Sequence, residues 1–339
     1  MNKRQLWFFG GGSGGHIFPL LTLFQKMNPL EHEYIFWTDD LPLSVSILME
    51  GQKKYPYLLH RILKYPKPSS KKNYIFFIFF TVIYFFKFCW LILRDSPSDI
   101  FLSGGYLGLP VSFAVYFCNF FLSKKTRVHL YHFDVIPGKA ARLISYFNPY
   151  QYIIYDETIK SLYKKKYIKK ILYPVRYSLK DIINHEESKK ILGIQKEKKV
   201  ILIFGGSQGS EELNNLVKSL LSVFLSFNCF IIHQTGKSNV SAVKKLYDEF
   251  HIETFVFDFR EDMNMFFSAA DIVISRAGAG TIAEIVFFKK KAILIPLKNV
   301  AHNHQELNAL AAKNNNSYIE IFSTVEELQI SLFFKLSLL

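Results

Sequence analysis

Short, wholly apolar runs recur along the chain, and twice such a run stops at a cluster of glycines. Leu6-Trp7-Phe8-Phe9 meets Gly10-Gly11-Gly12-Ser13-Gly14-Gly15-His16, and Val200-Ile201-Leu202-Ile203-Phe204 meets Gly205-Gly206-Ser207-Gln208-Gly209-Ser210. A run that is apolar at every position reads as a strand buried on both faces, the mark of a parallel sheet. Glycine behind it permits positive φ and lets the backbone come close to a ligand. A helix that follows such a loop offers free N–H groups and a positive dipole end, a setting that suits phosphate.

The same alternation continues between the two glycine loops and after them. In the first half the pattern predicts strands over 6–9, 34–37, 100–102 and 128–131, with helices over 18–27, 75–93 and 111–121. In the second half it predicts strands over 200–204, 230–233, 254–257, 272–274 and 292–296, with helices over 212–225 and from about 282. Strands alternating with helices mean a parallel, doubly wound sheet, with ligands collecting at the carboxyl ends of the strands. His16, the Gly104–Pro110 loop and the His132–Asp134 corner all fall there. The expected fold is therefore α/β, with two Rossmann-like domains facing a cleft. A lysine-rich stretch over 160–170 leads to a crossing at Tyr173-Pro174-Val175-Arg176, which divides the chain into 1–172 and 173–339.

A chain of 339 residues, half of them hydrophobic, has ample core for two domains. The net charge of +14 favours anionic partners: nucleic acid, anionic lipid or a phosphorylated substrate. Cys89, Cys118 and Cys229 are far apart in sequence and lack metal-ligand spacing, as expected of core thiols in a reducing, cytoplasmic setting. No secretory address is expected, because the apolar run at the start reaches glycine too soon for a signal peptide. The 75–93 segment is nearly all apolar and aromatic, with Lys87 its one charge. Its length could just span a bilayer, but Lys87 at mid-membrane would cost about 3 kcal/mol. A helix buried in the domain or docked at the membrane surface is the expectation. Lys71, Lys72 and Arg94 flank it, either to meet anionic headgroups or as a solvated rim.

Two chemistries compete for the glycine loops. Gly10, Gly12 and Gly15 fit Gly-x-Gly-x-x-Gly, and Asp39 or Asp40 follows where a dinucleotide site keeps its ribose-binding acid. That reading makes the chain an NAD-dependent oxidoreductase, but leaves the second half unexplained. There, Ser275-Arg276-Ala277-Gly278-Ala279-Gly280-Thr281-Ile282-Ala283-Glu284 ends a strand and starts a helix with a carboxylate in its first turn. The N–H groups at 279–282 would hold a diphosphate, and Glu284 would accept both ribose hydroxyls of a nucleotide. The plainer account is that Glu284 only complements the helix dipole, worth about 0.5 kcal/mol.

GGGSGGHIFPL, LSGGYLGLP, IFGGSQGS, RAGAGTIAE and HNHQELNA, in this order from residue 5 to about 312, resemble the MurG family. The resemblance implies the two-domain GT-B arrangement, with no cofactor and no metal. It implies inverting transfer of GlcNAc from UDP-GlcNAc to the C4 hydroxyl of MurNAc in undecaprenyl-diphosphate-MurNAc-pentapeptide. The partners implied are that donor, the polyprenyl-diphosphate-linked acceptor, the anionic membrane surface and cell-wall synthesis enzymes, but no nucleic acid. The expected place is the cytoplasmic face of the bacterial plasma membrane, held peripherally. Matched positions put Glu284 on the ribose, Ala279, Gly280 and Thr281 on the diphosphate, and Gln305 on the sugar hydroxyls beside His304 and Asn308. Ser207, Gln208 and Arg176 line the donor, with Ser13, Gly14 and Gly15 of the first loop. His16 matches the family's loop histidine, and Gly104, Gly105, Tyr106 and His132 belong to the acceptor side.

The chain also departs from the family. Its His-Glu-Gln-Asn corner reads His132-Phe133-Asp134-Val135, and a later asparagine is Ala141. The catalytic base is thus His16 or a shifted Asp134. Ser13 replaces a threonine, and Arg260 stands at an apolar position beside the uracil. The helix with which the family returns to its first domain is not expected before Leu339. A degenerate, non-catalytic membrane partner is the third reading.

Overall fold

The computed structural model describes residues 4–12, 14–28, 30–66, 71–206, 209–236, 239–260, 262–296, 303–322 and 324–338. The chain forms two compact units, Met1–Arg176 and Tyr177–Leu339. The division falls after Arg176 rather than at 172, so the last residue of the expected crossing closes the first unit.

The first unit holds a seven-stranded sheet, every neighbouring pair parallel. Its strands are β1 (Arg4–Phe9), β2 (His32–Asp39), β3 (Leu58–Leu63), β4 (Asp99–Leu102), β5 (Arg127–His132), β6 (Tyr150–Ile153) and β7 (Ile168–Lys170). The spatial order β3-β2-β1-β4-β5-β6-β7 reverses direction between β1 and β4. Alternate residues of the apolar runs feed opposite cores. Phe8 stacks on Phe101 at 4.7 Å and meets Phe24 of α1 (Gly14–Gln25). Trp7 and Phe9 pack instead with Phe88, Leu91 and Ile92 of α3 (Lys71–Asp95). The remaining helices are α2 (Pro42–Lys54), α4 (Gly108–Phe121) and α5 (Lys139–Ser145).

Helix α3 is long and apolar enough to cross a membrane by length and composition, and a third of its apolar window is buried. Tyr84, Phe88, Leu91 and Ile92 are in the core. Ile75, Phe79, Phe86 and Trp90 face outward, each more than half exposed. Helix α4 packs along α3, with Phe85 against Phe117 at 5.7 Å, and leaves Phe120 and Phe121 exposed. An aromatic face thus runs across both helices. Arg94 lies 4.4 Å over the Trp90 ring, and Lys87 5.4 Å over Tyr84.

After α6 (His185–Ile191) the second unit builds a six-stranded sheet, again parallel throughout. Its strands are β8 (Lys199–Phe204), β9 (Cys229–Gln234), β10 (Thr254–Phe257), β11 (Ile272–Ser275), β12 (Lys291–Leu294) and β13 (Ile319–Ile321). The order β10-β9-β8-β11-β12-β13 reverses between β8 and β11. Helix α7 (Glu211–Ser226) is amphipathic, with Leu213, Val217, Leu220, Leu221 and Phe224 turned to the core. Ser210 caps it, its hydroxyl accepting from Leu213 N at 3.3 Å, and Glu211 and Glu212 complement its dipole. The other helices are α8 (Val240–Glu249), α9 (Asn264–Ala269), α10 (Ala279–Phe287), α11 (His304–Asn315) and α12 (Val325–Ser337).

Candidate active site

Each reversal of strand order opens a crevice at the carboxyl ends of two neighbouring strands, where α/β sheets bind ligands. In the first unit β1 and β4 pair from Leu6–Asp99 to Phe9–Leu102, so Gly10 and Ser103 leave the sheet side by side. His16, in the first turns of α1, reaches across to Ser103, its Nδ1 2.9 Å from the carbonyl oxygen. A carbonyl only accepts, so Nδ1 carries a proton, and in the neutral tautomer the lone pair is on Nε2. Gly104 turns the loop at φ 81°, a conformation that glycine adopts freely, and a Cβ there would lie 3.0 Å from that of Ala141. Where the family keeps an asparagine, this chain thus has a methyl group packed under the loop. Gly14, buried, and Gly15, exposed, open α1.

Tyr106 donates its hydroxyl to Asp39 Oδ2 at 2.8 Å. Asp39 is 0% exposed, so the acid that the dinucleotide reading needs for a ribose faces inward and is taken by a tyrosine. Asp40 is exposed at the surface.

His132 is expected to face the acceptor, but its ring is 2% exposed and held from the side. Gln151 spends its amide N–H on the carbonyls of Lys164 and Lys166, so its Oε1 accepts from His132 Nε2 at 3.1 Å. Burial pushes the imidazole down to about 4, against the modest opposing effect of that hydrogen bond, and the ring is neutral near pH 7. Asp134 is half-buried one corner on, and its backbone carbonyl accepts from Thr158 at 3.4 Å. The neighbouring Tyr155 phenol is pushed up to about 12, chiefly by burial and then by the Asp134 charge. Arg176, expected among the donor residues of the second domain, lies in the first unit with its guanidinium 5.5 Å over the Phe18 ring of α1.

In the second unit the glycine loop after β8 rests on the turn after β9. Gln234, fully buried, donates to the Gly206 carbonyl at 2.6 Å. A Cβ on Gly209 would run into the Thr235 carbonyl, so only glycine fits there. On the other side Arg276, at the end of β11, donates from Nε to Ser210 Oγ, from Nη1 to the Ile295 carbonyl at 3.1 Å and from Nη2 to Glu212 at 2.5 Å. Ser13, Ser207 and Gln208 lie outside the described residues, as does His302.

Helix α10 begins at Ala279, earlier than the pattern indicates, with Gly278 as an N-cap that supplies no side chain and with no acid in its first turn. The N–H groups of Ala279, Gly280 and Thr281 are therefore available to an anion. Glu284 sits in the second turn, half-buried, where the dipole account of its presence loses most of its force because that effect fades within one turn. His304 and Gln305 open α11 behind Asn303, which is left-handed at φ 48°, and Asn308 is buried one turn further. Sequence reasoning gave Gln234 and Arg276 no role. A charged residue at the end of an all-apolar strand was the available signal, since it cannot be buried there without partners.

Residues 200–331 match the glycosyltransferase family 28 C-terminal domain. The chain is 31% identical over 322 residues to the UDP-N-acetylglucosamine--N-acetylmuramyl-(pentapeptide) pyrophosphoryl-undecaprenol N-acetylglucosamine transferase of Clostridium tetani, covering 92% of this chain and 84% of that one. It is 30% identical to the protein of the same name from Borreliella burgdorferi, over 94% and 84% of the two chains. Among solved structures it resembles MurG of Acinetobacter baumannii, with a TM-score of 0.74 and 19% identity over 99% of this chain and 91% of that one. LpCGTa, solved in complex with UDP, follows at a TM-score of 0.69 and 11% identity, over 99% and 91%. A two-unit α/β fold, a glycine loop at each switch point and these relatives together place the chain in the MurG family of glycosyltransferases.

Proposed function

We propose that the chain transfers GlcNAc from UDP-GlcNAc, with inversion and without a metal, to the C4 hydroxyl of MurNAc in undecaprenyl-diphosphate-MurNAc-pentapeptide. That is the lipid I to lipid II step of peptidoglycan synthesis. The observation that carries the reading is the uncapped N-terminus of α10, with Glu284 one turn behind it. Diphosphate on those N–H groups and ribose on Glu284 are what the family resemblance assigns to this turn, and an uncapped helix start suits an anion. Ser207, Gln208, His304 and Gln305 complete the donor side of the Tyr177–Leu339 unit. The acceptor falls to Met1–Arg176, through the first glycine loop, Gly104, Gly105 and Tyr106.

Charge that develops on the departing UDP is met by the α10 N–H groups, and Arg176 is the arginine that the family resemblance assigns to the donor. The sequence has no Asp-x-Asp motif to hold a metal for that purpose. His16 is the base this reading favours, because its tautomer leaves Nε2 to take the proton of the acceptor hydroxyl. Asp134 is the alternative. His132, neutral and bound to Gln151, holds the loop rather than the substrate. The aromatic face of α3 and α4, with the basic residues about it, supports peripheral seating on an anionic, cytoplasmic membrane surface, where the acceptor's lipid chain resides.

The test is transfer of radiolabelled GlcNAc from UDP-GlcNAc to a short-chain lipid I analogue, with UDP release followed in parallel. Labelled disaccharide lipid lost on His16→Ala and kept on Asp134→Asn bears the assignment out. The reverse pattern moves the base to Asp134. Donor binding without turnover would leave the degenerate partner, and NAD binding without UDP-GlcNAc binding would restore the oxidoreductase.

A further inference from the structure

Asp39 lies where two glycine loops of the first unit meet. Its Oδ2 accepts from the Tyr106 hydroxyl at 2.8 Å. The same oxygen would be 2.7 Å from a Cβ on Gly11, and Cγ 3.0 Å, so the backbone of the first loop lies directly on the carboxylate. Gly12 and Tyr106 face one another as well, with Tyr106 Cε1 3.5 Å from where a Gly12 Cβ would stand. Oδ1 has no hydrogen-bond partner among the described residues, although Asp39 is fully buried. A carboxylate in that position costs stability. Stability alone does not account for it, since an apolar residue of similar size would fill the space without the cost.

Tyr106 is fixed from behind. Its ring stacks on Tyr65 at 5.7 Å, and the Tyr65 hydroxyl donates to Thr81 Oγ1, which in turn donates to the Phe77 carbonyl of α3. With the ring held, its hydroxyl meets Asp39, and the second loop is joined to the first through one carboxylate. Burial raises the Tyr106 phenol, and its bond to Asp39 raises it further, so Tyr106 stays a donor over any working pH.

We infer that Asp39 is a positioning residue for the acceptor half of the reaction: it docks Tyr106 and sets how Gly10–Gly12 presents its backbone to the lipid-linked diphosphate. The inference rests on the proposed transfer reaction. It gives one of the two acids that the dinucleotide reading offers a different task, exerted through Tyr106 rather than on a ligand.

The experiment compares Asp39→Ala, Asp39→Asn, Tyr106→Phe and Asp39→Ala with Tyr106→Phe in full-length protein, with donor and acceptor varied separately. Asp39→Ala is expected to lower kcat/KM for the lipid I analogue by about tenfold or more, with the UDP-GlcNAc KM within about twofold of wild type. Asp39→Asn, which keeps an oxygen for the Tyr106 hydroxyl, recovers most of that loss. The double variant is no worse than the poorer single one, as for two residues acting through one contact. Equal losses toward both substrates, additive losses, or no recovery by asparagine would overturn the assignment. If the wild-type chain transfers nothing, the functional reading fails. Asp39 is then judged by undecaprenyl diphosphate binding in detergent, where weaker binding by Asp39→Ala upholds the positioning role and unchanged binding removes it.

Discussion

The guanidinium of Arg276 donates from Nε to the hydroxyl of Ser210 at 2.8 Å, across 66 residues of sequence. That hydroxyl also caps α7, so one arginine joins the end of β11 to the start of the helix behind the second glycine loop. The Ile295 carbonyl beyond β12 is held by the same side chain. Two strand ends of the second sheet and the start of α7 are tied by a buried cation, whose counter-charge, Glu212, stands in the solvent.

Arg276→Gln is expected to destabilise the second unit by about 1–3 kcal/mol, the cost of losing hydrogen bonds to a buried charged group. By calorimetry this corresponds to roughly 2–4 °C of Tm per kcal/mol for a unit of this size. Glu212→Gln, at an exposed position, shifts Tm by far less. A Tm unchanged in Arg276→Gln would show that the tie is not made.

Glu284→Ala separates its two accounts by magnitude. A residue binding ribose costs at least about 1.4 kcal/mol when removed, a tenfold rise in the UDP-GlcNAc Kd. Dipole compensation, worth about 0.5 kcal/mol even in the first turn, would leave Kd within about twofold. Isothermal titration reads the difference.

Acid sensitivity is expected from His233, which is buried between Asn214 at 3.1 Å and Tyr247 at 3.0 Å. Burial holds its imidazole down to about 3. The unfolded chain therefore takes up a proton near pH 6.5 that the folded one refuses. Stability on this account is full above pH 6.5 and is lost as pH falls toward 3, at about 1.4 kcal/mol per pH unit. His132, at about 4, acts in the same sense over a narrower window. Urea midpoints measured at pH 7.5 and 5 check this: His233→Gln should lower the first and narrow the gap between the two. An equal gap in the variant would assign the acid loss elsewhere.

Membrane seating is tested on α3. Phe79 and Phe86 are 59% and 65% exposed, so Phe79→Ser with Phe86→Ser leaves the core intact. Each phenyl removed from an apolar contact forfeits about 1.5–3 kcal/mol. Sedimentation with anionic vesicles should show at least about a tenfold weaker association, at unchanged Tm. Association equal to wild type would place the membrane contact on another surface.

Much of the architecture was readable because the buried parallel strands are apolar at nearly every position, and the loops behind them are glycine. Helix α2 and strand β3 were missed for a physical reason. Strand β3 lies at the sheet edge, where only Leu58 and Leu63 are buried and His60 and Arg61 interrupt the run. Helix α2 starts at Pro42 and carries Gly51, both of which read as breakers. In α10 the small residues Ala279 and Gly280 look like loop, which displaced its start and put Glu284 in the wrong turn. Motif residues were legible as types in order, but their partners were not. Asp39 and Tyr106, 67 residues apart, meet only because β2 and β4 flank β1 in the finished sheet.

The close approach at Gly11 also limits how the sequence can drift. A methyl group there would stand 2.7 Å from Asp39 Oδ2 and 2.5 Å from Leu107 Cδ1. Positions 11, 39 and 107 are thus coupled: a side chain can enter at 11 only if those of Asp39 and Leu107 turn away or become smaller. A substitution at any one of them would be judged by selection according to what its two distant neighbours have become.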